Sequence, residues 1–380
     1  MIKHTEETAS LEPIIKWPGG KERELKYIIP NLPESFDNYY EPFVGGGSVF
    51  MGISAKQYYI NDFSTELMGL YGFIKTQNPS FFKYCESTNK SIDNAGLFAA
   101  AKFKTINELY KSFRADTINI DTFIDNISKF IIDNQNDILS IIDTMDIDKS
   151  FFVNEMKTTF VRKMQRMKQL ELTKGMMPEK DVFDNIETII KGALYMYYRY
   201  LYNSDYEFSQ EWRITLFYYL RNYAYSGMFR YNSNGEFNVP YGGIAYNGKL
   251  TRKKLNYYQS DNCQDKLSKT TIDNIDFEAF LSKYQPRETD FVFLDPPYDT
   301  EFSTYAQNDF TRTDQSRLAN YMINKCKAKW MLIIKNTDFI YDLYSNRSGI
   351  YIKSFDKEYV VSFMNRNDKK VTHLLITNYV

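Results

Sequence analysis

The segment Asp295-Pro296-Pro297-Tyr298 combines a carboxylate, two rigid prolines and an aromatic ring. It follows the apolar run Phe291–Leu294, whose composition predicts a buried strand of a parallel sheet. Open α/β sheets bind ligands at the carboxyl ends of such strands. A carboxylate can accept hydrogen bonds from an exocyclic amine, and an aromatic ring can stack on a base. The segment therefore indicates a site for a purine amine, and an ordinary proline turn is the alternative that the tetrapeptide alone leaves open.

A glycine-rich turn follows an earlier predicted strand. Gly45, Gly46 and Gly47 come directly after Glu41-Pro42-Phe43 and precede a predicted helix. Glycine allows the backbone to approach a ligand closely, and the start of a helix offers free N–H groups. Asp62 ends the next predicted strand, where an acidic residue can bond ribose hydroxyls. These features predict a cofactor that contains adenosine, and the lack of a Walker lysine argues against a nucleoside triphosphatase.

The bulk composition excludes several classes of protein. The net charge of the 380 residues is −1, so any binding of nucleic acid must come from a local basic patch. Cys85, Cys263 and Cys326 are odd in number and far apart, which is typical of reduced thiols in a cytoplasm. His4 and His373 stand at opposite ends of the sequence, so we expect no zinc site and no metal catalysis. The sequence has no long apolar segment and no signal-peptide core, and we expect a cytoplasmic protein.

Short apolar runs alternate with helical patterns at both ends of the chain. The predicted strands are Tyr39-Tyr40, Tyr58–Ile60, Phe291–Leu294, Trp330–Ile334 and Leu374–Thr377. Between about residues 76 and 215 glycine is scarce and apolar residues recur with helical spacing, which predicts a helical insertion. Within it, the tyrosine-rich run Ala193–Tyr202 favours a packed helix over a platform that stacks on bases. We predict a doubly wound α/β domain in two halves, residues 1–75 and 261–380, separated by an inserted region over residues 76–260.

The motifs and their order resemble the Dam-type DNA adenine-N6 methyltransferases, the D12 class, alpha group. That family carries a K-W-x-G-G-K segment near its start, matched by Lys16–Lys21, and an E-P-F-x-G-x-G segment, matched by Glu41–Gly47. It also carries an acidic residue after the second strand, an R-Y-N-x-x-G-x-F-N-x-P-x-G block, an Asp-Phe pair and the D-P-P-Y tetrapeptide. These are matched by Asp62, Arg230–Gly242, Asp276-Phe277 and Asp295–Tyr298. The resemblance covers roughly residues 14–75 and 215–380, and it leaves the long helical block uncovered.

The resemblance implies a Rossmann-like sheet that uses S-adenosylmethionine to methylate N6 of an adenine flipped out of DNA. Asp295 and the carbonyl of Pro296 would accept the two N6 hydrogens, Tyr298 would stack on the base, and Pro297 completes the tetrapeptide. Transfer would be direct and in line, without a covalent intermediate. The implied cofactor contacts are Lys16, Trp17, Lys21, Glu41, Pro42, Phe43, Gly45, Gly47, Asp62, Phe63, Asp276, Phe277 and Asp295.

The resemblance also implies double-stranded DNA as the partner, with a hairpin of the inserted region in the major groove. The implied DNA contacts are Arg230, Tyr231, Asn232, Asn238, Pro240, Lys249, Arg252 and Lys253. Arginine can bond guanine bidentately, and the lysines would hold phosphates. GATC is the first candidate for the recognised site, although the chain continues Gly243-Ile244-Ala245 where GATC enzymes usually have an arginine and a tyrosine. We expect a monomer, and a restriction endonuclease would be its functional partner in a restriction–modification pair.

Three alternatives remain open at the level of sequence. Methyltransferases of glutamine side chains or RNA can use a similar tetrapeptide, but they usually begin it with asparagine and lack the Arg230–Gly242 block. A cytosine-N4 enzyme would more often have serine in place of Asp295. The third alternative is a catalytically inactive DNA-binding or regulatory protein on the same fold, and the intact tetrapeptide and glycine turn argue against it.

Overall fold

The structure is a computed structural model, and it describes residues 11–143, 147–249, 251–298, 310–358 and 370–380. The chain divides into two compact units. The first unit comprises residues 1–76 and 258–380, and the second comprises residues 77–257. The first unit is therefore discontinuous in sequence, while the second is one uninterrupted stretch of chain.

A seven-stranded sheet forms the centre of the first unit. Its strands are β1 (Asn38–Glu41), β2 (Gln57–Asn61), β3 (Thr270–Asp273), β4 (Phe291–Leu294), β5 (Lys329–Lys335), β6 (Tyr351–Glu358) and β7 (Lys370–Thr377). Their order across the sheet is β3-β2-β1-β4-β5-β7-β6. The pairs from β3 to β5 are parallel, and β7 runs antiparallel to both of its neighbours. This arrangement confirms the predicted doubly wound α/β fold.

The five predicted strands are all confirmed, because each is an apolar run that the sheet buries. All four residues of β4 are buried, as expected for a central parallel strand that is covered on both faces. On one face, Val292 and Leu294 of β4 pack in a core cluster with Trp330 of β5 and Ile376 of β7. The edge strands β3 and β6 are more polar, and for that reason the sequence pattern does not predict them.

The order of the strands creates a switch point between β1 and β4. From β1 the chain continues outward through β2 and β3, whereas β4 pairs with the other side of β1 and leads to β5. Loops that follow β1 and β4 therefore diverge, and they leave a crevice at the carboxyl edge of the sheet. The glycine turn follows β1 and the Asp295–Tyr298 tetrapeptide follows β4, so both lie at this edge.

Short helices complete the first unit. They are α1 (Leu25–Ile28), α2 (Ser48–Gly52), α3 (Thr65–Lys75), α11 (Asp261–Ser268), α12 (Phe277–Tyr284), α13 (Arg312–Asn324) and α14 (Asp338–Tyr344). Several begin at a side-chain cap of the expected chemistry: the Ser64 hydroxyl accepts from the third residue of α3, and Thr311 with Asp314 forms a capping box on α13.

The second unit is mainly helical. Its helices are α4 (Pro79–Arg114), α5 (Ile120–Asp133), α6 (Gln135–Leu139), α7 (Lys149–Lys174), α8 (Glu179–Asn203), α9 (Gln210–Tyr223) and α10 (Arg252–Tyr258, which ends at the boundary). Helix α8 packs against α4, α7 and α9, and most of its residues are buried. The residues predicted to be helical thus lie in helices, and the run Ala193–Tyr202 is part of the packed helix α8. Among the helices described, none combines the length and apolarity needed to cross a membrane.

Candidate functional site

A buried lysine joins the two ends of the tetrapeptide. Lys21 has only 3% of its side chain exposed, and its Nζ lies 2.5 Å from Oδ2 of Asp295. The same ammonium donates to the carbonyl of Gly19 at 2.7 Å and lies 3.4 Å from the hydroxyl of Tyr298. All three ammonium hydrogens therefore have acceptors. The ion pair fixes the Asp295 carboxylate, whose side chain remains 19% exposed, at the carboxyl end of β4.

Two residues that the sequence did not single out support the tetrapeptide from within the protein. Gln315 of α13 is fully buried, and its Nε2 donates to the carbonyl of Pro297 at 2.8 Å. His373 of β7 is also fully buried, and its Nε2 lies 3.3 Å from the hydroxyl of Tyr298. Pro296 is buried and Pro297 is exposed. The short loop is thus held at three of its four residues, at Asp295 by Lys21, at Pro297 by Gln315 and at Tyr298 by His373.

Glu41, at the end of β1, is a second buried carboxyl near this edge. Tyr39 donates to its Oε2 at 2.7 Å. Burial raises the pKa of Glu41 well above its usual range, and the charge of Asp295 adds to the rise, while the Tyr39 hydrogen bond and the charge of Lys21 oppose it. Glu41 is thus a buried carboxyl held by Tyr39 close to the Lys21–Asp295 pair.

The glycine turn after β1 is shaped to receive the neighbouring turn Lys16–Lys21. Gly45 has φ +49°, and a Cβ there would lie 2.8 Å from Cδ1 of Trp17. A Cβ on Gly46 would collide with the carbonyl oxygen of Ile15. Both positions need glycine because protein, and not only a ligand, approaches them closely. The two glycine turns of the sequence therefore form one packed structure.

Asp62 organises the same loop from the end of β2. Its Oδ2 accepts from the backbone N–H of Gly45 at 3.0 Å, and its Oδ1 accepts from that of Ser64 at 3.0 Å. Burial raises the pKa of Asp62, and these backbone hydrogen bonds oppose the rise. The adjacent Phe63 leaves 59% of its surface exposed, which is high for an aromatic ring. Asp62 thus ties β2 to the glycine turn, and Phe63 offers a free ring beside it.

Asp276 caps α12, and Phe277 is the first residue of that helix, at the same edge. Oδ1 of Asp276 caps the helix and also accepts from Arg317 at 2.9 Å. Its Oδ2 makes no hydrogen bond to any residue that the structure describes. The Phe277 ring is buried and lies 5.5 Å from the ring of Phe43, the residue before Val44 in the β1 loop. The pair joins α12 to the loop after β1.

The other predicted cofactor residues lie along the same loops. Lys16 is exposed, Pro42 is buried with its carbonyl accepting from Asn61 at 3.1 Å, and Gly47, with φ +80°, precedes the first turn of α2. All thirteen predicted cofactor residues therefore lie in the first unit. No group of histidine, cysteine, aspartate and glutamate that could hold a metal ion occurs within the described ranges.

The Arg230–Gly242 block lies in the second unit and contains a small hairpin. Tyr231 and Phe237 form an antiparallel bridge, and the N–H of Asn232 donates to the carbonyl of Glu236 at 2.8 Å. The side-chain oxygen of Asn232 accepts from two backbone N–H groups of the turn, including that of Glu236 at 2.9 Å. Asn232 therefore holds the shape of the turn.

The residues predicted to contact DNA differ in what they already bind. Arg230 and Pro240 are exposed, and Arg230 donates to Oδ1 of Asn238 at 3.2 Å. Lys253 is exposed as well. Lys249 donates to the carbonyl of Asn222, and Arg252 pairs with two carboxylates, Glu86 and Asp93. The hairpin thus presents Arg230, whereas Lys249 and Arg252 are engaged within the second unit.

Helix α8 supports the block along much of its length. Oδ1 and Nδ2 of Asn203 bond the N–H and carbonyl of Phe237, each at 2.9 Å. Tyr195 donates to the carbonyl of Val239 at 2.9 Å, and Lys191 donates to that of Asn247, just beyond the block, at 2.7 Å. These contacts are to backbone atoms, so they fix the path of the segment without consuming its side chains.

Comparison with known proteins gives a consistent result. A family model for D12 class N6 adenine-specific DNA methyltransferases matches residues 17–359. The Type II methyltransferase M.CviBI of Paramecium bursaria Chlorella virus NC1A is 25% identical over 375 residues, which cover 97% of this chain and 100% of the relative. The Type II methyltransferase M1.LlaDCHI of Lactococcus lactis subsp. cremoris is 22% identical, over 97% of this chain and 96% of the relative. The DNA adenine methylase of Vibrio cholerae serotype O1 strain El Tor Inaba N16961 is 21% identical, over 85% and 80% respectively. The matches include the long helical block, which the motifs alone leave uncovered.

Proposed function

Because the chain belongs to the D12 class of N6 adenine-specific DNA methyltransferases, we propose that it transfers the methyl group of S-adenosylmethionine to N6 of an adenine flipped out of duplex DNA. The observation that carries this proposal is the buried Lys21–Asp295 ion pair at the switch point of the sheet. It presents a carboxylate that is fixed in position and balanced in charge, next to a half-buried tyrosine ring.

The chain's own residues supply acceptors and a stacking surface. The N6 lone pair of adenine is conjugated with the ring, so the amine is a poor nucleophile. Asp295 and the carbonyl of Pro296 accept the two N6 hydrogens, which draws the nitrogen toward a tetrahedral form and aims its lone pair. Tyr298 stacks on the base and holds it in the pocket. S-Adenosylmethionine supplies an electrophilic methyl group when bound, and transfer needs positioning without a covalent intermediate.

Lys21 keeps this arrangement ready before the substrate arrives. With its hydrogens on Gly19, Asp295 and Tyr298, the ammonium fixes the carboxylate and the ring relative to each other. It also stabilises the ionised form of Asp295, which must accept and not donate at the amine. Preorganised polar groups of this kind contribute to catalysis because they need no rearrangement during the reaction.

The residues at the carboxyl edge of the sheet fit an adenosine-containing cofactor. Phe63 offers an exposed ring for stacking, and Asp276 keeps Oδ2 available for an amine of the adenine. The loop from Glu41 to Gly47 lies beside them, with Asp62 at its base. Lys16, Trp17, Pro42, Phe43 and Phe277 would complete the binding site together with Lys21 and Asp295.

We propose that the hairpin of the second unit reads the DNA sequence. Arg230 can bond guanine in the major groove, with Tyr231, Asn232, Asn238 and Pro240 on the same hairpin. Lys253 would contact phosphate, and Lys249 and Arg252 would do so only by exchanging their present partners. GATC or a related sequence is the first candidate for the site.

The setting of the reaction follows from its substrate. We propose that the enzyme acts as a monomer in the cytoplasm, where the DNA lies. A cognate restriction endonuclease would be its functional partner, since two of the relatives are named Type II methyltransferases.

Two other functions would use the same fold. A catalytically inactive DNA-binding protein would have no use for the buried Lys21–Asp295 pair, whose desolvation is costly. An amine methyltransferase of RNA or protein would use the tetrapeptide but not a hairpin that presents Arg230. Substitution of Asp295 by alanine separates the first of these from an enzyme, because an inactive protein should keep its role.

The decisive experiment incubates the purified protein and S-adenosylmethionine with a large unmethylated DNA, followed by single-molecule sequencing of modified bases. We expect N6-methyladenine in one short sequence context, and none with the D295A variant, which should still bind DNA. Binding of the cofactor without any modified DNA would refute the proposed function. It would favour an RNA or protein substrate if either accepts the methyl group, and an inactive binding protein if neither does.

A further inference from the structure

His373 is a fully buried imidazole within a largely apolar strand. It precedes Leu374, Leu375 and Ile376 on β7, and it pairs in register with Lys335 of β5. A buried polar ring without a hydrogen-bond partner costs stability, so a histidine at this position requires one. The functional assignment above makes no use of this residue.

One hydrogen-bond partner of His373 is the last residue of the tetrapeptide. Its Nε2 lies 3.3 Å from the Tyr298 hydroxyl, and the two rings meet edge to face with centroids 5.5 Å apart. Behind the imidazole, the ring of Phe355 on β6 lies 5.8 Å from it. The imidazole is therefore held between a neighbouring strand and the Tyr298 ring.

The hydroxyl of Tyr298 has a second partner besides His373. Lys21 can only donate, so the Tyr298 oxygen accepts from its ammonium, which is 3.4 Å away. The hydroxyl can then donate its hydrogen to Nε2 of a neutral imidazole that carries its proton on Nδ1. In the other tautomer Nε2–H donates to the second lone pair of the hydroxyl.

We propose that His373 is a positioning residue for methyl transfer, which holds the hydroxyl of Tyr298 and thereby the place of its ring, so that the flipped adenine can stack on it. This inference rests on the proposed function, since it assigns the stacking role to Tyr298. Lys21 and His373 approach the same oxygen from separate parts of the chain, so together they fix the position of the hydroxyl and the direction of the ring's long axis. The edge-to-face contact of the imidazole adds a second restraint on the ring itself.

A role in packing alone makes a different prediction. A core histidine would lower stability when replaced, but its effect would not depend on the hydroxyl of Tyr298. A positioning residue acts through that hydroxyl, so removing the hydroxyl must cancel its effect. A double-mutant cycle between the two residues therefore separates these roles.

The cycle uses H373F, Y298F and the double variant, with H373Q as the conservative replacement. Glutamine can place its Oε1 near the position of Nε2 and accept from the hydroxyl, whereas phenylalanine fills the space without an acceptor. Thr377→Val is the matched control, because Thr377 points to the same face of β7 and bonds the carbonyl of Tyr379. Two quantities are measured: methyl transfer to unmethylated plasmid DNA, as kcat and KM, and the urea midpoint of unfolding.

We expect H373F to lower kcat about tenfold, with a smaller change in the KM for DNA, because misplacement of a positioning group acts mainly on the chemical step. H373Q should recover most of kcat, H373F should cause no further loss in the Y298F background, and T377V should keep wild-type kcat. Nonadditive changes in the unfolding midpoint should accompany this pattern.

Equal losses from H373F with and without the Tyr298 hydroxyl would overturn the proposal, as would failure of H373Q to recover activity while folded. If H373F does not fold, the kcat of H373Q is compared with those of the wild type and Y298F. The proposal then requires H373Q to be closer to the wild type than to Y298F. Absence of any adenine methylation by the wild-type protein would instead refute the proposed function. In that case the unfolding cycle still tests the bond, and additive midpoints would refute it.

Discussion

Replacement of Lys21 by methionine removes the ammonium but keeps most of the side-chain volume. The Lys21 side chain is 3% exposed and that of Asp295 is 19% exposed. Truncation of one partner of a buried ion pair typically costs about 3–5 kcal/mol, because the other charge is left unpaired. The partial exposure of Asp295 allows water to screen its charge, so we expect the lower end, about 3 kcal/mol in the free energy of unfolding.

The same change should impair turnover through Asp295. Without the neighbouring ammonium, the carboxylate takes up a proton more readily, and a protonated carboxyl is a poorer acceptor for the substrate amine. Loss of one preorganised polar contact typically lowers kcat by about 10²–10³, and we expect about 100-fold, or about 2.7 kcal/mol in the barrier. Because deprotonation restores the acceptor, the kcat of K21M should rise with pH more steeply than that of the wild type.

The assay is transfer of a labelled methyl group to unmethylated plasmid DNA under single-turnover conditions between about pH 6 and 9, with urea unfolding in parallel. Lys26→Met is the matched control, since Lys26 is an exposed lysine on α1 near Lys21 and should change neither quantity. A K21M protein with wild-type turnover would refute the role given to the ion pair. A K21M protein with lower turnover but the same pH dependence as the wild type would refute the explanation through Asp295.

Three further predictions concern the surrounding structure. Gly46→Ala should lower the free energy of unfolding, measured in urea, by about 2 kcal/mol, because its Cβ would collide with a backbone carbonyl. Gly52→Ala is the control and should leave the free energy of unfolding unchanged, because the atom nearest to its Cβ lies 3.8 Å away. Equal effects of the two substitutions would contradict this account. Burial lowers the pKa of Lys266 to about 7. Above that pH the folded chain has lost the Lys266 proton while the unfolded chain still binds it, so the free energy of unfolding should rise by up to about 4 kcal/mol toward pH 10. Urea unfolding of Lys266→Met should lack this rise, and parallel curves for the two proteins would exclude Lys266 as its source. Asn203→Ala should speed hydrogen exchange at the Phe237 amide by roughly tenfold, since it loses about 1–2 kcal/mol of hydrogen bonding; unchanged exchange would show that α8 does not hold the hairpin.

Local sequence patterns predict the elements of this fold wherever burial is strong. The apolar run Phe291–Leu294 and the helical spacing of residues 76–215 each encode one structure, because a wrong periodicity would expose apolar side chains. Strands β3 and β6 lie at the edges of the sheet, where burial is weaker and the pattern fades. Their pairing depends on neighbours that are distant in sequence.

In the site, too, sequence motifs predict the residues but not the contacts between them. Motifs identify Lys21 and Asp295 separately, but the two are 274 positions apart in the sequence, and only the folded sheet brings them together. No motif contains Gln315 or His373. A single histidine beside the apolar run Leu374–Thr377 is the one signal that could have pointed to a buried polar contact, although it could not have named Tyr298 as the partner. The roles of individual site residues in binding and catalysis stay predictions until the proposed variants are measured.

The position of β7 between β5 and β6 has a consequence for biosynthesis. During translation β6 is made before β7, yet it has no place in the sheet until β7 has paired with β5. Residues 77–257, in contrast, form contacts mainly among themselves and can fold while the rest of the first unit is still being synthesised. The outer edge of β5 therefore lacks its partner until β7 has been made, and β7 also carries His373. The last strand to enter the sheet thus brings with it the residue that contacts Tyr298.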